Sequence, residues 1–168
     1  MTNFVTIADF TGDRNIPVND KYITDFNNFI TKYQKEILIK LLGYDLYLAF
    51  ETGLAVVPTP DTKWTNLKNG STYQVNGINY QNPGLIDIVA YYVYCKHVSA
   101  NFESYSTGLG VYASNIEGGT VVSPENKITN AWNNMINYYY MVYDFISEKE
   151  SDYPNWDFTI LKMMTYGF

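Results

Sequence analysis

One cysteine, one histidine and one arginine stand in a chain of 168 residues, and each scarcity excludes a class of chemistry. A lone Cys95 closes no intramolecular disulfide. With His97 as the only histidine, a structural zinc site lacks ligands and most histidine-based catalytic designs are out of reach. Arg14 apart, the cations are ten scattered lysines, and the formal charge is −6. Such a field repels nucleic acid and anionic lipid, and aromatics without arginine make a poor stacking platform for bases. Long apolar runs are also missing. The longest, residues 88–95, has eight positions and four of these are tyrosine or cysteine, whereas a membrane span needs about 20 apolar residues. The N-terminal residues carry no basic flank or apolar stretch of signal-peptide length, so synthesis and retention in a reducing cytoplasm is the expectation.

What the chain has in quantity is aromatic surface: 17 tyrosines, nine phenylalanines and three tryptophans. Tyrosine gives large contact area at low entropic cost and is enriched at protein interfaces. At 46% hydrophobic the chain buries a core without disulfide or metal, and its length fits one domain spanning 1–168.

Periodicity places the elements. Residues 1–19 read as an N-terminal arm, with a short strand or extended stretch at 3–10 ending in the Thr11-Gly12-Asp13 turn signal. Ile23, Phe26, Ile30, Tyr33, Ile37 and Leu41 recur at steps of three and four, the face of a helix over 20–42, with polar residues including Gln34 between them. Gly43 ends it and a shorter helix, 45–52, follows. Two closely spaced prolines make 53–63 a loop, and 64–67 reads as a single helical turn. Asn76-Gly77 between two alternating runs is the strongest short-range hairpin signal, giving a hairpin over 71–81. Asn82 as cap and Pro83 as first residue open a central helix over 83–105, apolar on every side near its start and therefore buried on every side. A glycine-rich stretch, 106–122, reads as a long loop. Ser123-Pro124-Glu125 starts a last long helix whose apolar character wraps around it between Tyr138 and Tyr143. Residues 150–168 form a tail that docks either on its own domain or on a partner. The expected fold is mainly α: a bundle of three long helices plus short ones, with one β-hairpin and an extended N-terminal arm.

Catalytic signatures are weak throughout. His97 and Cys95 sit in a helix that buries its neighbours, and a structural role is the stronger reading for both. Asp9, Asp13 and Asn15 lack the spacing of a calcium loop, and Asp144 with Glu148 reads as a solvated face. Residues 108–113 match G-x-G-x-x-A in letters, yet a helix precedes them where a dinucleotide site needs a strand. No enzymatic activity, cofactor or metal is expected.

Several segments, in order, resemble the small head–tail connector (adaptor, or head-completion) proteins of tailed bacteriophages, in particular the connector-like group in phages of Bacteroides and relatives. They are residues 4–12 (FVTIADFTG), 41–50 (LLGYDLYLAF), 64–73 (WTNLKNGSTY) with the hairpin, 83–85 (PGL), 90–94 (AYYVY) and 122–132 (VSPENKITNAW), then Met135 and Tyr143. The resemblance covers most of 4–146 and rests on order and spacing, each motif being structural.

It implies a structural virion protein at the head–tail junction, a homo-oligomeric, dodecameric ring under the portal protein that meets a downstream tail or neck protein. Double-stranded DNA would pass the lumen without specific binding, which an acidic lining favours because binding needs phosphate neutralisation by cations. No membrane is involved. Head-to-tail rings use two different patches per subunit. The candidate contact residues are Tyr73 and Tyr80 on the hairpin with Leu109, Val111, Tyr112 and Ile116 in the long loop. Tyr138 and Tyr140 in the aromatic band, or Trp156, Phe158 and Phe168 in the tail, would supply the second patch. Another virion component, such as a tail-completion or minor capsid protein, is the alternative, and a small ligand-binding domain or enzyme built on Cys95 and His97 comes last.

Overall fold

The computed structural model describes residues 3–16, 23–106, 125–157, 159 and 161–164. Over these residues the chain is mainly helical, with five α-helices and one two-stranded antiparallel hairpin: α1 (Ile23–Leu42), α2 (Tyr44–Leu54), α3 (Thr62–Asn69), β1 (Ser71–Val75), β2 (Ile78–Asn82), α4 (Leu85–Ser106) and α5 (Glu125–Glu148). α4 lies at the centre, packed against α1 on one side and α5 on the other, with α3 and the N-terminal residues also touching it. Ile88 to Cys95 are buried without interruption, as a helix apolar on all sides requires. α1 turns Phe26, Ile30, Ile37, Leu38, Leu41 and Leu42 into the core, and α5 contributes Ala131, Met135, Ile136, Tyr139, Val142, Phe145 and Ile146.

The N-terminal residues differ from the strand or extended arm that their alternation predicts. Ile7–Asp9 and Gly12–Arg14 are single 3-10 turns, and Val5 and Phe10 are buried. Among the described residues no strand pairs with this backbone. Gln34, a member of α1's supposedly polar face, is fully buried and its Oε1 accepts the N–H groups of Phe4 and Val5, both at 3.2 Å. Phe10 then stands edge-on to Phe26, ring centroids 5.0 Å apart. Further along, Arg14 pairs with Asp87 and lies over the Tyr91 ring, while the Asp13 carboxylate accepts from the Tyr91 hydroxyl and from Asn134 Nδ2 at 3.1 Å. The segment is thereby tied to α1, α4 and α5.

The hairpin turns at Asn76 and Gly77, both with positive φ (51° and 81°), and pairs Tyr73 with Tyr80 across the strands. Its base is drawn tightly onto the start of α4. Gly70 has φ of 91°, and a Cβ there would meet Asn82 O at 2.7 Å, so glycine is needed for both conformation and space. Asn82 caps this corner, though not as an N-cap next to a helical Pro83. Its Oδ1 accepts Gly84 N–H at 3.0 Å and its Nδ2 donates to Asn66 O at 2.9 Å, joining α3 to the approach to α4, which begins at Leu85, two residues beyond Pro83.

Candidate interface

The hairpin candidates divide by strand. Tyr73 is 8% exposed, its ring 5.7 Å from Tyr80 and 5.3 Å, edge-on, from Phe145 of α5. Burial, then the carboxylates of Asp144 and Glu148, push its hydroxyl above the ordinary tyrosine range. Tyr73 therefore anchors the hairpin, and Tyr80, 46% exposed above it, presents aromatic surface together with the exposed Ile78. As cross-strand partners the two tyrosines share one face of the ribbon; Tyr73 is buried there against Phe145 of α5, and Tyr80 remains exposed beside it.

Tyr138 and Tyr140 point to different sides of α5, as residues two apart on a helix must. Tyr138 stacks on Tyr91 of α4 at 5.9 Å, over the Asp13–Arg14 cluster. Tyr140 is 45% exposed, and its hydroxyl donates to Leu161 O at 3.5 Å. Trp156 is half-buried, donating from Nε1 to Leu41 O at 3.0 Å and packing on Tyr143 at 5.0 Å. The aromatic band and the tail are thus not two separate surfaces, because the tail crosses the band. Tyr139 donates to Thr159 O at 3.3 Å, and Tyr153 is buried with its hydroxyl on Lys63 O at 2.9 Å. Burial pushes the Tyr139 hydroxyl to about 12 and the Tyr153 hydroxyl higher still. Leu109, Val111, Tyr112, Ile116, Phe158 and Phe168 lie outside the described residues, as do the long loop and the G-x-G-x-x-A match.

A second exposed apolar patch escapes the candidate set. Tyr44 and Leu48, one turn apart on α2, are exposed, and so are Val56 and Val57 in the loop that follows, Val57 to 86%. Leu46, Tyr47 and Phe50 supply the buried face of the same helix. Its signal in the sequence is that apolar residues occur on both faces of a helix too short to be wrapped by its neighbours.

The groups with chemical potential are drawn apart. Cys95 Sγ points to Ile128 O of α5 at 3.7 Å, and burial pushes its thiol to about 12, far from the thiolate that nucleophilic chemistry needs. His97 turns the other way, between the Phe26 and Phe29 rings of α1 at 5.0 and 5.5 Å, and burial lowers its pKa. Asp9 accepts from the Thr6 N–H at 2.7 Å and from the Thr6 hydroxyl at 3.1 Å, while Asp13 serves Tyr91 and Asn134. Each carboxylate is used in local structure. Among the described residues no group of three or more His, Cys, Asp or Glu side chains could hold a metal ion, and no helix is long and apolar enough to cross a membrane. Two open grooves are present. One of ≈ 490 Å³ lies between the N-terminal residues, α2 and α3, and one of ≈ 430 Å³ lies between α3, β1 and the end of α5. Neither is lined by Cys95 or His97.

A second polar cluster bridges α1 and α4. Glu36 Oε1 accepts from the Tyr92 hydroxyl at 2.6 Å and from Lys40 Nζ at 2.9 Å, with Lys96 Nζ at 3.9 Å. Burial pushes the Glu36 carboxyl up, but the hydrogen bonds from Tyr92 and Lys40 and the two lysine charges outweigh it, and its pKa is lowered. Lys96 also lies over the Tyr33 and Tyr92 rings. Every member thus has a structural partner, and the cluster reads as a clasp between the helices. The chain matches no protein-family model, no curated protein and no solved structure.

Proposed function

We propose that this chain is a structural virion protein, a head–tail connector subunit that joins its own copies in a ring beneath the portal of a tailed phage and extends the DNA channel. In this reading α1, α4 and α5 are a three-helix scaffold, and function resides in what the scaffold presents. The observation that carries it is the exposure of large apolar side chains on two separate elements, Ile78 and Tyr80 on the hairpin and Tyr44, Leu48, Val56 and Val57 on and after α2. Exposed apolar surface is what subunit contacts cover, and a head-to-tail ring needs two unlike patches on each subunit. The order of the sequence motifs supplies the location in the particle. The negative formal charge agrees with a channel that does not retain DNA.

The test is co-expression with the portal protein of the same phage, followed by electron microscopy of the purified complex. A ring of this chain seated on the portal is the expected result, and Tyr80→Asp should abolish it while leaving the monomer folded. A stable multimer that forms alone and ignores the portal would favour a tail-completion or minor capsid role instead.

A further inference from the structure

Over the described residues of 159–164 the tail is held mainly through its main chain. Trp132 Nε1 donates to Lys162 O at 2.8 Å. The Asn133 side chain both donates to Met164 O at 3.0 Å and accepts Met164 N–H at 2.9 Å, a two-point reading of one residue's backbone. Tyr139 and Tyr140 donate to Thr159 O and Leu161 O, and Thr159 N–H donates to Lys40 O at 2.9 Å. Among the described side chains of 159–164 only Leu161 is buried, and Thr159, Lys162, Met163 and Met164 face solvent. A helix face that satisfies the N–H and C=O groups of an irregular segment and takes one apolar side chain has the design of a peptide-recognition groove. The segment is attached through a separate anchor, the buried Tyr153, and Asn155 with φ of 64° lies between anchor and groove.

We propose that the α5 surface formed by Trp132, Asn133, Tyr139 and Tyr140 is a binding groove for an extended peptide, exchanging its resident tail for the same segment of a second copy of this chain. A second copy is the fitting occupant because its tail carries the same leucine and the same pattern of backbone donors and acceptors. Tyr140, Met163 and Met164, exposed apolar groups around the groove, are the surface that pairing would cover. In dilute solution the resident tail wins, because a short tether gives it an effective concentration in the millimolar range. Crowding of copies in an assembly removes that advantage. The proposal does not depend on where in a particle the chain resides.

Two measurements on the full-length chain test it. A fluorescent peptide of residues 156–168 is titrated with the wild-type chain and with Met164→Pro, which removes the N–H that Asn133 accepts at an exposed position. The peptide should bind Met164→Pro roughly ten times more tightly than wild type, the worth of about one hydrogen bond. It should lose at least that factor when Asn133→Ala is added. Equal binding to all three chains, or no binding to a Met164→Pro chain with native circular dichroism, overturns the groove. A 1:1 mixture of isotope-labelled and unlabelled wild-type chains is then cross-linked through lysines. Mixed-isotope links between Lys40 and Lys162 should rise with concentration, and their absence at every concentration overturns the exchange.

Discussion

Gln34 does more in this fold than its place in a polar run implies. Its Oε1 accepts the backbone N–H groups of Phe4 and Val5, just before the first N-terminal turn, the second of them buried. Gln34→Leu leaves both without an acceptor and should cost about 2 kcal/mol in urea unfolding. It should also speed proteolysis near Phe4, and an unchanged midpoint would contradict this role. His97 makes a pH prediction. Burial holds its pKa below the ordinary 6.5, so the unfolded chain takes up a proton at higher pH than the folded one does. The stability associated with neutral His97 is complete above 6.5 and falls as the pH drops from there through the folded pKa. The urea midpoint should decline between pH 7.5 and 5.5, and His97→Phe should flatten that decline; equal slopes in the two chains would argue against it. Cys95, with its thiol at about 12, should resist alkylation in the native chain and react at once in denaturant. Gln34 was illegible in the sequence because its partner is backbone, which carries no residue letter. The burial of Cys95 could be anticipated because it ends the apolar run 88–95, whereas the place of His97 between Phe26 and Phe29 depends on α1 and could not.

At the scale of elements, the hairpin was readable and the N-terminus was not, for one physical reason. Asn76-Gly77 encodes a turn that needs positive φ at both positions, a purely local demand. The Ile7–Asp9 turn has a local Thr6–Asp9 capping box, but the docking of the whole segment rests on Gln34, Asp87 and Tyr91, far away along the chain. The same logic explains why α4 could be placed from its composition and why the α2 patch was missed: burial follows from an apolar run, whereas exposure of Tyr44 and Leu48 depends on which neighbours are absent. The hairpin also separates stability from assembly. Tyr73→Ala empties the space between Tyr80 and Phe145 and should cost about 3 kcal/mol by thermal or urea unfolding. Tyr80→Ser, on the exposed side, should stay within about 0.5 kcal/mol of wild type while weakening self-association. If both changes had the same effect on stability, the division of labour between the strands would be wrong.

The whole molecule presents a helical scaffold whose polar residues are spent on joining segments, Glu36 with Lys40, Tyr92 and Lys96 between α1 and α4, Arg14 with Asp87 between the N-terminus and α4, and Trp132 and Asn133 with the tail. The sequence left open whether the tail docks on its own domain or on another, since its contacts are mediated by main-chain atoms common to every residue; over the described residues it docks on its own. Among the exposed side chains, large apolar and aromatic ones occur on the hairpin, on and after α2, and beside the tail. That distribution, together with the ordered motifs, is the basis for proposing a connector ring. The most direct measurement is its copy number, by quantitative mass spectrometry against the portal protein, in gradient-purified particles of the tailed phage that the proposal takes as its source. The connector account predicts a low copy number equal to that of the portal. A large excess would identify a shell or tube component, and absence from the particle would contradict a structural role in the virion altogether.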